Sequence, residues 1–143
     1  MAIPSVGGGY QDTDGNQNEI TIGTQAAPQT ATVTATLSVA QVTGGLLVAT
    51  PGGATAAYTF PTGTLLDAQM GNMKVNSTFA LTIINLTAAT GVITMTAGAG
   101  TGITLVGTAT IGLSAAASTS PAGVAQFLFR KTADAAYSVY RVS

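Results

Sequence analysis

The chain has no Cys, no His and no Trp, and in 143 residues only four Lys/Arg and five Asp/Glu. Without Cys, disulfides and thiolate metal sites are excluded. Without His, the side chain that titrates nearest neutrality is missing, and a Ser or Thr nucleophile has no imidazole to activate it. Charged residues make up 6% of the chain, where a soluble domain carries ~25%. They are also unevenly placed: none falls between Ile20 and Leu66, and none between Val75 and Phe129. A lone globule of this mass exposes roughly 6,700 Å², and a well-behaved surface is about 25–35% charged. Nine ionisable groups cannot dress that area, so hydroxyls and amides must solvate it or other protein must cover it.

The same scarcity bounds function. Net charge is −1 and only Arg130, Lys131 and Arg141 lie near one another, whereas phosphate neutralisation needs clustered cations; no nucleic-acid partner is expected. Among acid–base candidates, residues 29–143 offer Asp67, Lys74 and Asp134 beside a few Tyr, so no enzymatic role is expected. The apolar runs, such as residues 46–49, fall far short of the ~20 residues of a spanning helix. Four Tyr and four Phe do not furnish the aromatic girdles of a membrane barrel. The expectation is a soluble protein without a membrane partner. Residues 1–5 show neither the basic nor the apolar region of a secretory signal.

What is present divides in two. Residues 1–28 read as an extended N-terminal arm: Gly7, Gly8 and Gly9 make a hinge, and a polar run follows with three of the five acids, Asp12, Asp14 and Glu19. Such a stretch buries too little to offset its own ordering entropy and is expected to order on a partner. Residues 29–143 read as a single β-domain. Thr alternates with apolar residues over 31–37, the period-two pattern of a half-buried strand. Further strands are expected over 46–50, 54–60, 75–86, 91–97, 102–107 and 108–113. A hairpin closes the chain, with strands over 124–131 and 137–142. Phe127 and Phe129 share one face of the first, and Tyr137 and Tyr140 point to opposite faces of the second. In 75–86, Phe79, Leu81 and Ile83 face one way and Ile84 and Leu86 the other.

Helix signals are few. Ser38 with Gln41 three residues on allows a capped turn. The best helix spans 62–70, with Leu65, Leu66 and Met70 able to share a face and Gly71 placed to end it. Strand spacing of roughly 8–12 residues indicates a sandwich or barrel. The fold expected is all-β: a jelly-roll-like β-sandwich or barrel with one short helix and the arm.

Site-like patterns are weak. Asp12, Asp14, Asn16 and Asn18 alternate oxygens like part of a calcium loop, but Gly15 precedes Asn16 and Gln17 stands where the loop needs its glycine after the third ligand. A polar Asx-type turn is preferred, and no metal or cofactor is expected. Gly7–Gly9 lack the strand, helix and Lys of a phosphate loop. Gly98 to Gly102 read as a hairpin turn. Asp67 and Lys74 read as a solvated helix edge, and Arg130, Lys131 and Arg141 as a solvated face or rim.

The texture of the whole chain resembles the head decoration, or cement, proteins of tailed bacteriophages. The resemblance rests on the polar leader running into residues 22–28, on Thr50 to Pro61 ahead of Leu65, Leu66, Asp67 and Ala68, on Phe79 to Asn85, and on Gly102 to Gly107. Phe129 to Thr132 with Tyr137 to Arg141 complete it. It implies a small β-domain, a homotrimer on the outer capsid surface of the virion, bound to the major capsid protein, and no enzymatic role. The arm residues Tyr10, Gln11, Asp12, Asp14, Asn16, Asn18, Glu19, Ile20 and Ile22 are the expected capsid contacts. A carbohydrate-binding or adhesive fibre module is the alternative, as is, more distantly, a shell protein.

Overall fold

Period-two alternation of Val, Ile, Leu and Phe with Thr, Ala and Ser decides which side of each strand is buried. The computed structural model describes residues 24–87, 90–113 and 123–143. In chain order the elements are β1 (Gln29–Ala31), β2 (Ala35–Thr36), α1 (Val39–Thr43), β3 (Leu46–Ala49), β4 (Ala56–Thr59), α2 (Gly63–Gln69), β5 (Thr78–Asn85), β6 (Ile93–Thr96), β7 (Ile103–Val106), β8 (Thr110–Ile111), β9 (Val124–Ala133) and β10 (Ala136–Arg141). They form two sheets, one ordered β1-β3-β5-β9-β10-β7 and the other β2-β4-β6-β8. The fold is thus β-rich and two-layered.

The winding is regular. From β1 to β6 the chain alternates between sheets, so β1, β3 and β5 pair in parallel in one and β2, β4 and β6 in parallel in the other. Then β9 inserts antiparallel to β5, and β10 returns antiparallel to β9. Strand β7 pairs parallel to β10, and β8 antiparallel to β6. A jelly roll is an antiparallel architecture. Here five of the eight pairings are parallel, so the pairing does not carry the jelly-roll expectation.

The core lies between the sheets. Leu47, Leu81, Ile83, Phe127, Phe129 and Val139 face inward from the larger sheet, and Tyr58, Ile93, Met95 and Ile111 from the smaller. Phe60 crosses the gap: its ring meets Phe127 edge-on at 5.7 Å and Phe129 at 5.2 Å, while Phe79 stacks on Phe129 at 4.6 Å. Burying each such ring contributes about 1.5–3 kcal/mol.

Several local expectations are corrected. Residues 31–37 are not one strand, because the chain turns at Val33 and Thr34 and passes from one sheet to the other. Alternation of Thr with small apolar residues suits either sheet and does not mark the corner. Two helices stand among the described residues rather than one. Ser38 Oγ accepts from the Gln41 amide at 3.2 Å and the Ser38 amide donates to Gln41 Oε1 at 2.8 Å, a capping box that makes α1 a true helix. Helix α2 starts on Thr62, whose hydroxyl accepts from the Leu65 amide at 3.3 Å, and ends on Met70 rather than Gly71. Leu66 and Met70 meet the core, but Leu65 is exposed. Gly98 to Gly102 do not close a hairpin: they connect β6 to β7, which belong to different sheets. The C-terminal hairpin, the opposite facing of Tyr137 and Tyr140, and the inward face of Phe127 and Phe129 are as the alternation predicts.

Candidate functional site

Four titratable side chains of the body, Asp67, Lys131, Asp134 and Tyr137, converge where α2 meets the β9–β10 turn. Asp67, on α2, reaches that turn with both carboxylate oxygens. The Tyr137 hydroxyl donates to Oδ1 at 2.5 Å and the Ala135 amide to Oδ2 at 2.7 Å. Lys131 Nζ lies 2.9 Å from Oδ1 and 3.7 Å from Asp134 Oδ1. Ala135 is a non-glycine residue with φ +54°, a conformation that usually costs an L-residue roughly 1–2 kcal/mol. In it the Ala135 amide points to Asp67, while its carbonyl oxygen packs against the α-carbons of Gly63 and Gly102. A Cβ on either glycine would collide with that oxygen. Helix α2, the turn and the start of β7 are thereby held at one point.

The electrostatics follow from these partners. The Tyr137 hydroxyl, the Ala135 amide and the Lys131 ammonium favour the ionised carboxylate and hold Asp67 down at about 2. Burial, with the adjacent Asp67 charge, pushes the Tyr137 phenol well above its ordinary value. Carboxylate and phenol thus keep fixed protonation states around neutrality, whereas a general acid or base works best with a pKa near the operating pH. Lys131 is buried at 6% exposure. What the cluster can do is tie a helix to a hairpin. Among the described residues no three His, Cys, Asp or Glu gather as metal ligands.

This differs from the expectation for Asp67 and Lys74. The partner of Asp67 is Lys131, 64 positions further on and turned inward, not onto a solvated face. One signal was available: Lys131 shares strand parity with the inward-facing Phe127 and Phe129. Arg130 does face outward, donating to Asn76 Oδ1 at 2.5 Å. Arg141 donates to the carbonyls of Thr108 and Thr110, linking the end of β10 to β8 across the two sheets. Another residue without a sequence signal is Asn85, fully buried, whose Nδ2 donates to the carbonyls of Gly91 and Gly112 at 2.9 Å each. The expected capsid-contact residues Tyr10, Gln11, Asp12, Asp14, Asn16, Asn18, Glu19, Ile20 and Ile22 all lie outside the described residues.

The two outer sheet faces differ in chemistry. On the four-stranded sheet, register places Thr36, Thr59 and Thr96 in one cross-strand row and Ala57, Thr94 and Thr110 in the next. The Thr59 and Thr96 hydroxyls are 2.8 Å apart. On the six-stranded sheet one row is Val48, Ile84 and Val124. A second is Leu46, Thr82 and Gln126, and a third is Ala80, Leu128, Tyr140 and Val106. A fourth row of the larger sheet is Thr78, Arg130, Ser138 and Thr104. Large aliphatics thus stand among the polar residues of the larger sheet's outer face, whereas the smaller sheet's rows hold only Thr and Ala. Comparison with protein-family models, with curated proteins and with solved structures finds no match.

Proposed function

We propose that the chain is a structural decoration protein of a tailed-phage head, binding the outer capsid as a homotrimer and stabilising it, with the N-terminal arm contacting the major capsid protein. The observation that supports this reading is the disposition of charge. The body's ionic cluster is consumed in tying α2 to the β9–β10 turn, leaving two nearly uncharged sheet faces. That suits a protein whose work is contact. The resemblance to cement proteins supplies the kind of contact, and Asp12, Asp14 and Glu19 supply negative charge for basic capsid groups. Three arms on one trimer would act together through effective concentration, so each can be weak.

The test is co-sedimentation with expanded, undecorated capsids. Deleting residues 1–19 should leave a folded body that no longer sediments with them, and wild-type occupancy by the truncated protein would overturn the arm's role. The alternation of β1 to β6 between sheets favours one other reading, an adhesive fibre module, because such parallel winding is the plan of β-solenoids. A glycan array with concentration-dependent hits would select it.

A further inference from the structure

We infer that the outer face of the six-stranded sheet is the surface through which three copies of this chain associate. The inference deepens the self-association part of the proposed function and rests on it for the number of copies. Four of the seven exposed large hydrophobics among the described residues belong to this side: Leu86 at the end of β5, Val106, Val124 and Val142. They rim the half-buried Leu46, Val48, Ile84, Leu128 and Tyr140. Arg130 is the one charged side chain on the face, in the outermost row and engaged with Asn76.

The other sheet supplies an internal comparison. It too is nearly free of charge, yet Thr occupies its outward positions, so hydroxyls meet the water there. Thr is as suited to a strand as Val or Ile, and nothing in strand formation required aliphatics on the larger sheet. Their use on one face only marks that face as covered. A partner rich in charge would leave its own groups desolvated against it, whereas a second copy brings the same three uncharged rows. The size is suitable too. Five strands, β3 to β7 in sheet order, make a face about 24 Å wide at ~4.8 Å per strand. Three rows give it a footprint on the order of 400 Å², at the scale where contiguous apolar patches mark interaction sites.

Three such faces closed into a triangular prism would each lie about 7 Å from the axis, against about 5 Å from the midplane for two stacked sheets. Leu128 and Tyr140 stand on β9 and β10 near the middle of the face, where that greater gap must be filled. Shorter Val48 and Val106 flank them, where neighbouring faces converge.

The experiment is sedimentation equilibrium of the full chain, free of capsids, with a triple variant that copies the other sheet: Ile84→Thr, Val124→Thr and Leu128→Thr. The wild type should have the mass of a trimer at micromolar concentration. In the triple variant the concentration for half-assembly should rise by about a hundredfold or more, with an unchanged far-UV spectrum. Thr94→Val, on the smaller sheet, should leave assembly unaltered. A monomeric or dimeric wild type, or a triple variant that assembles as the wild type does, overturns the inference. Should the triple variant not fold, the absence of native Cys permits a milder probe. Leu128→Cys should be joined between copies by a short bis-maleimide, and Thr94→Cys should not; equal or absent cross-linking at both overturns it. A trimer that fails to bind capsids leaves this face assigned and removes only the capsid reading.

Discussion

Gly63→Ala sets two physical effects against each other. Gly63 opens α2 with an ordinary helical backbone, and by propensity alone Ala in a helix gains up to about 1 kcal/mol. The packing opposes this. The added Cβ would meet the Ala135 carbonyl oxygen, a backbone atom that cannot swing aside as a flexible side chain would. Relief requires the hairpin turn to move away from α2. Overpacking of this kind costs about 1–3 kcal/mol. Movement of the turn also strains two further hydrogen bonds, Gly63 N–H to the Thr101 carbonyl at 2.8 Å and Tyr137 N–H to the Gly102 carbonyl at 2.8 Å, each worth about 0.5–1.5 kcal/mol. Loss therefore outweighs gain, by about 2–3 kcal/mol net, which lowers Tm by roughly 4–12 °C for a chain of this size. Gly71→Ala provides the comparison, because nothing lies within 4 Å of its added Cβ and its φ is not positive. It should be neutral or slightly stabilising. Urea and thermal unfolding of the two variants under one buffer give both numbers. A Gly63→Ala protein as stable as the wild type, or more so, would refute the view that the Ala135 carbonyl is wedged between the two glycines.

Acid should weaken the fold through Asp67. Its folded pKa, about 2, lies below the ordinary 3.8, so the stabilisation is complete above pH ~4 and lost as pH falls through ~2. The stability gap between wild type and Asp67→Asn, measured as urea midpoints from pH 6 down to pH 2, should therefore be widest at the upper end and narrow below pH 4. A gap independent of pH would show that the carboxylate's charge is not what matters. Phe60→Ala removes the ring that bridges the sheets and should cost about 3–5 kcal/mol, with Phe60→Leu losing clearly less. Equal losses would mean that the edge-on contacts to Phe127 and Phe129, rather than the volume the side chain fills, carry its contribution.

Much of the architecture was legible because strand parity is local. The facing of Phe79, Leu81 and Ile83, the closing hairpin and the helix after Pro61 follow from residues within a few positions of one another. The capping box at Ser38 and Gln41 was legible for the same reason, though not that its turn persists as a helix. What sequence did not reveal was which strand pairs with which. A short Thr/Ala/Val strand suits either sheet, so the corner at Val33 and Thr34 left no mark and the parallel winding went unseen. The Asp67 cluster was hidden by distance along the chain, since its partners lie 64 to 70 positions away. Charge alone puts Lys131 in solvent, while its strand parity points inward.

The place of β9 in the larger sheet has a consequence for how the protein is made. This strand follows eight others along the chain, yet it stands between β5 and β10 in the middle of the sheet. A nascent chain that has reached residue 113 can wind β1 to β6, but β5 then offers a bare edge and β7 has no neighbour in its sheet. Open edges of that kind invite pairing with other chains, and partly folded intermediates are where aggregation begins. Residues 124–141 must leave the ribosome before the sheet can be completed, so chains cut short ahead of them are left with their most adhesive surface uncovered.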